Sequence, residues 1–457
     1  MNKPKASTPK QVASLTNILT FLIPSLLGIL LFITPIRYES GITIPVAILA
    51  KTLKVALGEN IASIVTLIVT FTGLMTIINK LFEPKYIENR PFLSGLLNLP
   101  PLWILVRISG MLFILMSYFQ VGPEALWSNS TGGMVLHELL PTLFAVFIFA
   151  GVLLPLLMNF GLLELLGALM TRIMRPMFNL PGRSAINCIA SWLGDGSVGI
   201  LMTSKQYESA YYTQREAAII GTTFSAVSIT FSLVVIAQVG LEHMFAQFYL
   251  TVCVTGFVAA VIVPRLPPLS RKKDVLITGL PPEPHAEVIP AGRSVLSWGI
   301  EKALEKAATT KSVLAVLEDG IKNAIDLVFG VIPVIMCIGT IALMTSEYTP
   351  IFEYLGIPFI PILNLLQIPE AELAANTIVI GFADMFVPSI LAASIESEIT
   401  RFVVAALSLT QLIYLSEVGA LLLGSKIPVT LWELFAIFIL RTLVTLPVIS
   451  LMAHWFF

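Results

Sequence analysis

Residues 192–199 read WLGDGSVG and place Asp195 between glycines inside an otherwise apolar part of the chain. Mostly hydrophobic residues flank this stretch, at 186–193 and at 198–202. A carboxylate at membrane depth is costly and marks a functional site by default. The glycines allow a helix to break there because glycine tolerates non-helical backbone angles. The stretch therefore predicts a broken, membrane-embedded helix that carries an acid.

The composition predicts a polytopic membrane protein. Of the 457 residues, 56% are hydrophobic and 12% are charged, and the mean hydropathy is +0.89. A soluble domain has about 25% charged residues. The net charge of −1 shows no basic bias toward nucleic acid. Because no nucleophile–base pair, metal set or phosphate loop is recognisable, we expect no enzyme activity, no cofactor and no nucleic-acid partner.

Lysine and arginine set the predicted orientation. They are frequent in the N-terminal tail and in the proline-rich stretch at 264–290, which we expect to be cytoplasmic. This requires nine full spans and two segments that enter and return. Helices at Gly41–Leu57 and Ser294–Leu317 are predicted to lie on the membrane surface, the latter alternatively against the protein body. The spans are predicted at Leu15–Ile36, Asn60–Phe82, Leu102–Val121, His137–Asn159, Arg215–Val239, Met244–Val263, Ala324–Thr345, Phe402–Leu423 and Leu431–Ala453.

An internal repeat relates the two halves of the chain. Residues 381–388 read GFADMFVP, and their Asp384 follows Asp195 by 189 residues. Asn187 and Asn376 are separated by the same offset. If each copy contains three full crossings and one re-entrant segment, the two copies face opposite ways. Inverted repeats with broken helices are typical of secondary transporters.

The predicted fold is all-α and polytopic, with two inverted-topology repeats, each containing a re-entrant helical hairpin. The N-terminal part is expected to form scaffold helices. The segments are scaffold helices at 1–130, a first repeat at 137–264 with its hairpin at 182–204, a cytoplasmic proline-rich linker and amphipathic helix at 265–320, and a second repeat at 324–453 with its hairpin at 370–397.

The hairpins and the polar helices that follow them form the predicted binding site. Positions 410, 414 and 417 would share one helical face. Capping of the following half-helix is an alternative and compatible role for each tip aspartate, and the hydroxyls could simply bond to their own backbone. Arg441, inside the last predicted span, could neutralise an anionic group, or snorkel to the headgroups. The predicted site residues are Asn187, Asp195, Ser197, Thr222, Ser225, Asn376, Asp384, Ser389, Gln411, Tyr414 and Glu417.

These stretches resemble the hairpins of concentrative nucleoside transporters. LGDGSVG at 193–199, TQREAA at 213–218 and GTT at 221–223 are similar to a family pattern in which a GQTEAP tip precedes a polar loop and a small-residue helix. GFAD at 381–384 resembles the GFAN of the family's second hairpin. Both belong to the wider nucleoside-recognition, or Gate, group. The length, the two Gate units and the linker position look most like its bacterial YjiH-like branch, over roughly 137–453.

The resemblance implies a secondary transporter of the bacterial inner membrane that moves elevator-fashion on a scaffold, often as an oligomer (dimer or trimer), in contact with lipid. Na⁺ or H⁺ would be the coupling ion, with Na⁺ near Asp195, Asp384 or Glu417. The family's nucleoside-binding tip residues correspond here to Asp195 and Ser197. The solute would be nucleoside-like, or an amino acid, a dipeptide or an amine; the two tip carboxylates and Glu417 suit a solute with an ammonium group, or a cation. The alternative is a non-transport Gate subunit for membrane assembly or signalling.

Overall fold

The chain folds into helices around a buried apolar interior, with one short β-hairpin as the exception. The computed structural model describes residues 14–32, 34, 36–38, 41–82, 84–193, 196–224, 229–282, 293–310 and 313–457. Strands Ile36–Tyr38 and Gly41–Thr43 pair antiparallel, with Ile36 opposite Thr43. The predicted all-α, polytopic fold class is confirmed.

Seven helical runs in the described residues are long and apolar enough to cross a membrane. They agree with seven of the nine predicted spans, although the fourth and sixth runs begin well before the predicted residues. The chain is therefore a multi-pass membrane protein. The runs are Leu15–Phe32, Asn60–Phe82, Pro101–Phe119, Glu124–Met158, Glu242–Arg271, Leu314–Tyr348 and Leu431–Phe456.

The other helices are shorter and lie between these runs. They are Pro45–Leu57, Lys85–Glu88, Pro91–Leu97, Leu162–Phe178, Ser184–Leu193, Gly196–Glu208, Gln214–Thr223, Ile229–Gln238, Val295–Ala308, Ile351–Gly356, Ile360–Leu365, Ala371–Ile378, Val387–Ala392, Glu398–Gln411 and Val418–Gly424. Pro45–Leu57, predicted as an interfacial helix, packs against Leu140–Leu153 within the fourth run.

The predicted span Arg215–Val239 is two helices. We call Gln214–Thr223 and Ile229–Gln238 the first interrupted helix. A capping box starts it: the Thr213 hydroxyl accepts from the Glu216 N–H, and the Glu216 carboxylate accepts from the Thr213 N–H. The first half ends at Thr223, because Phe224 leaves the helical conformation.

The predicted span Phe402–Leu423 is also divided, which corrects the sequence prediction. The second interrupted helix consists of Glu398–Gln411 and Val418–Gly424. Leu412 adopts a left-handed φ of 61°, which ends the first half. Tyr414 and Glu417 therefore lie in or at the end of the interruption, and not on one helical face with Thr410.

The predicted amphipathic helix Ser294–Leu317 is two helices instead of one. Val295–Ala308 packs against Leu162–Phe178, where Gly299 allows close approach to Leu165. The next helix begins at Val313 and continues into the run that ends at Tyr348, so the chain re-enters the apolar region before the predicted Ala324.

The first halves of the interrupted helices end at Thr223 and Gln411, which are 188 residues apart. Two π-helical segments, Val135–Leu139 and Asp326–Val331, overlap at the same offset. The order of elements thus recurs at the spacing that the sequence predicts. The opposite orientation of the two copies stays a prediction.

Two helical hairpins correspond to the acidic stretches. The second hairpin contains Ala371–Ile378 and Val387–Ala392, which pack against each other. The first hairpin contains Ser184–Leu193 and Gly196–Glu208, which pack against each other. The sequence interprets Gly199 as a helix breaker, but it lies inside the second arm and allows close contact between the arms. A Cβ at this position would clash with the side chain of Ser191.

We expect Gly199→Ala to lower the stability of the first hairpin by about 1–3 kcal/mol, because the added methyl overpacks the arm contact. Thermal unfolding of the purified protein measures the loss. Gly95→Ala is the matched control, since Gly95 lies in helix Pro91–Leu97 with open space around its Cα. Alanine there should be neutral or stabilising by up to ~1 kcal/mol. Equal midpoints for the two variants would contradict the close-packing role of Gly199.

Candidate functional site

The best-defined part of the candidate site is the tip of the second hairpin. The carboxylate of Asp384 is buried, and its Oδ1 accepts hydrogen bonds from the Phe386 and Val387 N–H groups at 2.8 and 3.3 Å. Its Oδ2 accepts from the Ser416 hydroxyl at 2.7 Å. Asp384 thus caps the short helix that follows it, as the sequence alternative states. It also ties the hairpin tip to the interruption of the second interrupted helix.

Main-chain hydrogen bonds strengthen this junction. The Leu415 N–H donates to the Phe382 carbonyl at 2.7 Å, and the Ser416 N–H donates to the Ala383 carbonyl at 2.9 Å. These bonds explain why the helix can break here: the peptide groups released from the helical ladder find partners on the hairpin. The interruption and the hairpin tip therefore form one hydrogen-bonded unit.

Gln411 and the Tyr414–Glu417 pair line this unit. The Gln411 amide donates to the Ile378 carbonyl at 3.1 Å and to the Thr442 hydroxyl at 2.8 Å. The Tyr414 hydroxyl donates to the Glu417 carboxylate at 3.1 Å. Glu417 is half-buried and stands directly before the second half-helix.

The first hairpin holds Asn187 between its arms. The Asn187 amide donates to the Thr203 hydroxyl at 3.0 Å and accepts from the Gln206 side chain at 3.1 Å. All three side chains are buried. Ser197 is also buried, in the first turn of the second arm. Asp195 and Ser225, both predicted as site residues, lie outside the described residues.

The other predicted residues occupy different settings. Thr222 and Ser389 are fully buried, and their hydroxyls donate to the Ala218 and Phe386 carbonyls. This is the backbone-bonded alternative for such hydroxyls. Asn376 is exposed, in contrast to the buried Asn187 at the equivalent position of the first repeat.

The two repeats exchange contacts around these residues. The second arm of the first hairpin packs on the Val418–Gly424 half of the second interrupted helix, where the Lys426 N–H donates to the Ser204 hydroxyl. Reciprocally, the second hairpin packs on the Ile229–Gln238 half of the first interrupted helix. There the rings of Phe231 and Phe386 meet at 5.9 Å. Each hairpin therefore rests on the other repeat's half-helix.

Arg441 lies beside both interrupted helices. Its side chain is fully buried in the last run, which excludes the snorkelling alternative. Its Nε and Nη2 atoms donate to the Thr410 carbonyl at 3.1 and 2.8 Å. Its Nη1 atom is 3.5 Å from the Thr222 and Thr223 carbonyls.

Sequence reasoning missed a polar cavity of about 390 Å³ beside the first hairpin. Lys205 of the hairpin forms an ion pair of 2.5 Å with Asp326, which lies in the second π-helical segment, and one of 3.2 Å with Glu208. Two features of the sequence could have indicated this ion pair. Asp326 is an acid near the start of an apolar span, and Lys205 is a base near the end of the predicted re-entrant segment.

Two comparisons of the sequence place it among known proteins. A family model described as Gate, nucleoside recognition, matches residues 140–242 and confirms the resemblance on which the sequence interpretation rests. An uncharacterized protein of Alkalihalophilus pseudofirmus is 48% identical over 448 residues, which cover 98% of this chain and 96% of that protein.

Solved structures of the protein CNTnw are also similar to this chain. One in an outward-facing state has a TM-score of 0.40 at 13% identity and covers 96% of this chain and 99% of that chain. One in an inward-facing, substrate-bound state has a TM-score of 0.36 at 14% identity and covers 90% of this chain and 97% of that chain.

We expect the Lys205–Asp326 pair to couple the first hairpin energetically to the second repeat. In a double-mutant cycle of Lys205→Met and Asp326→Asn, the interaction energy should be about 1 kcal/mol or more, because the pair is partly buried. Reversible unfolding in mixed micelles measures it. The more solvent-accessible Lys302–Glu305 pair, with side chains 42% and 41% exposed, is the control and should give less than about 1 kcal/mol. Strictly additive effects at 205 and 326 would show that the ion pair does not link the two parts.

Proposed function

We propose that this chain, which belongs to the same family as its Alkalihalophilus relative and carries a Gate segment, is a secondary active transporter of a small polar organic solute. The observation that carries the proposal is the junction of the second hairpin with the second interrupted helix. There, a buried carboxylate, Asp384, and the ends of broken helices meet inside a membrane protein. Broken helices near the middle of the membrane form the binding sites of many transporters.

The chemistry of the candidate site favours a solute with a positively charged or hydrogen-bonding group. Asp384 and Glu417 supply carboxylates, and Gln411 and Tyr414 supply an amide and a hydroxyl. Such a set suits a nucleoside-like solute, an amino acid, a dipeptide or an amine. Asp195, at the equivalent place in the first repeat, would add a second tip carboxylate.

We further propose that transport is driven by Na⁺ or H⁺ and is of the elevator type. The half-buried Glu417, hydrogen-bonded to Tyr414, is a carboxylate that could exchange a proton. The reciprocal packing of hairpins and half-helices gives one body that could move together against the N-terminal helices. The proposed setting is the bacterial inner membrane, with the N-terminus and the linker in the cytoplasm and the protein as a dimer or trimer.

The test is a thermal-unfolding screen of the purified protein against nucleosides, amino acids, dipeptides and polyamines, with and without Na⁺. A ligand that binds only the folded state stabilises it by about 2.7 kcal/mol at a hundred times its Kd. We expect one solute class to raise the Tm of the wild-type protein. The Asp195→Asn, Asp384→Asn double variant should lose this rise, because asparagine keeps the size of the side chain but not its charge.

Asp274→Asn is the matched control, since Asp274 is an exposed aspartate of the linker. This variant should respond to the solute like the wild-type protein. If no solute class distinguishes the wild-type protein from the double variant, the binding role of the tip acids is wrong. The hairpins would then be packing elements, as in a Gate subunit for assembly or signalling.

A further inference from the structure

Arg441 is a cation in the apolar interior, and within the described residues its hydrogen bonds go to main-chain oxygens. It stands at the eleventh position of the 26-residue helix Leu431–Phe456, and its side chain is fully buried. Within the described part of the chain, no carboxylate forms an ion pair with it. A buried charge is costly unless something compensates it. Among the described residues, the carbonyl groups around the guanidinium provide this compensation.

Those carbonyls belong to the ends of two half-helices. Thr222 and Thr223 are the last residues of Gln214–Thr223, and Thr410 is the penultimate residue of Glu398–Gln411. The last four carbonyls of a helix have no partner within it. The guanidinium thus donates two close hydrogen bonds to the Thr410 carbonyl and lies 3.5 Å from the Thr222 and Thr223 carbonyls, so it faces the carboxyl ends of both half-helices.

The positive charge of the guanidinium matches the partial negative charges at the carboxyl ends of the two half-helices. The carboxyl end of a helix carries about half a negative charge, so two converging ends present roughly one. The guanidinium supplies one positive charge. The equivalent position in the first repeat, 189 residues earlier, is Val252, whose side chain borders the same small cavity. A single arginine therefore serves both repeats.

In other transporters, half-helix carboxyl ends and unwound carbonyls coordinate a coupling Na⁺. We propose that the guanidinium of Arg441 permanently occupies such a cation site between the two interrupted helices, so that this protein needs no alkali cation there. The inference rests on the proposed transport function, since a coupling cation matters only in a transporter. It favours H⁺ over Na⁺ as the coupling ion, carried by the carboxylates of the hairpin region.

The space around Arg441 agrees with permanent occupancy. The adjoining cavity has a volume of about 30 Å³ and is lined by Thr223, Cys253 and Thr410, among others. A water molecule needs roughly 10–15 Å³ of such space, so the cavity has room for about two. A hydrated alkali cation does not fit beside the guanidinium, but removal of the arginine side chain would open a site whose carbonyls are left without a cation.

The experiment compares the thermal unfolding of the wild-type protein and of Arg441→Ala in chloride salts of Na⁺, Li⁺ and N-methyl-D-glucamine at equal ionic strength. The wild-type Tm should not depend on the cation. Arg441→Ala should unfold about 5 °C or more below the wild-type protein in the organic salt. Na⁺, Li⁺ or added guanidinium, each at roughly 50 mM, should restore at least half of the lost Tm. For guanidinium, this concentration is far below the denaturing range.

Arg107→Ala is the matched control. Arg107 is another buried arginine that donates to main-chain carbonyls, those of Leu96 and Gly330, but these do not belong to the interrupted helices. Its alanine variant should be destabilised without a response to Na⁺ or Li⁺. The inference is overturned if Arg441→Ala and the wild-type protein respond to alkali cations in the same way, or if Arg107→Ala responds as Arg441→Ala does.

Arg441→Lys covers the case in which Arg441→Ala does not fold. Lysine keeps the charge, so this variant should fold and stay insensitive to the alkali cation; a Na⁺-dependent Tm would overturn the inference. The solute screen, run on the wild-type protein in the organic salt, separates the two proposals. Failure of every solute to bind would contradict the transport function but would leave the cation response of the Arg441 variants unchanged.

Discussion

Every peptide group released by a broken helix inside a membrane must find a new partner, and this constraint organises the interior of the protein. The second interrupted helix gives two N–H groups to the second hairpin, and its free carbonyl at Thr410 goes to Arg441. Asp384 takes the N–H groups at the start of the short helix that follows it. The candidate site is thus made from the same atoms that allow the helices to break.

The sequence predicted much of the architecture because its signals are local. Apolar length located the continuous spans, and two acids at one offset located the hairpins. It missed the interruption at 412–417, because a helix that breaks on tertiary partners needs no proline or glycine there. Leu412, an ordinary helix former, takes up the left-handed conformation because the hairpin offers carbonyls to the next N–H groups. Such long-range compensation leaves no mark in the local sequence.

For the candidate site, the sequence indicated individual polar residues but not the neighbours that they contact. Asp384 and Gln411 were found from their polarity inside apolar segments, and the structure joins them through one hairpin. The equivalent asparagines were expected to act alike, yet Asn187 is locked between helical arms and Asn376 is exposed. Sequence equivalence in a repeat fixes the backbone position but not the neighbours. Arg441 has no counterpart in the first repeat, so the repeat could not reveal its role.

The reciprocal packing of the repeats has a consequence for synthesis. The first hairpin ends at Glu208, but the half-helix on which it rests begins at Val418. At 5–20 residues per second, the ribosome takes roughly 10–40 s to add the intervening chain. During that time Ser204 lacks its contact with Lys426, and, until residue 326 is made, Lys205 lacks its contact with Asp326. The first hairpin therefore reaches its final packing only when translation is nearly complete.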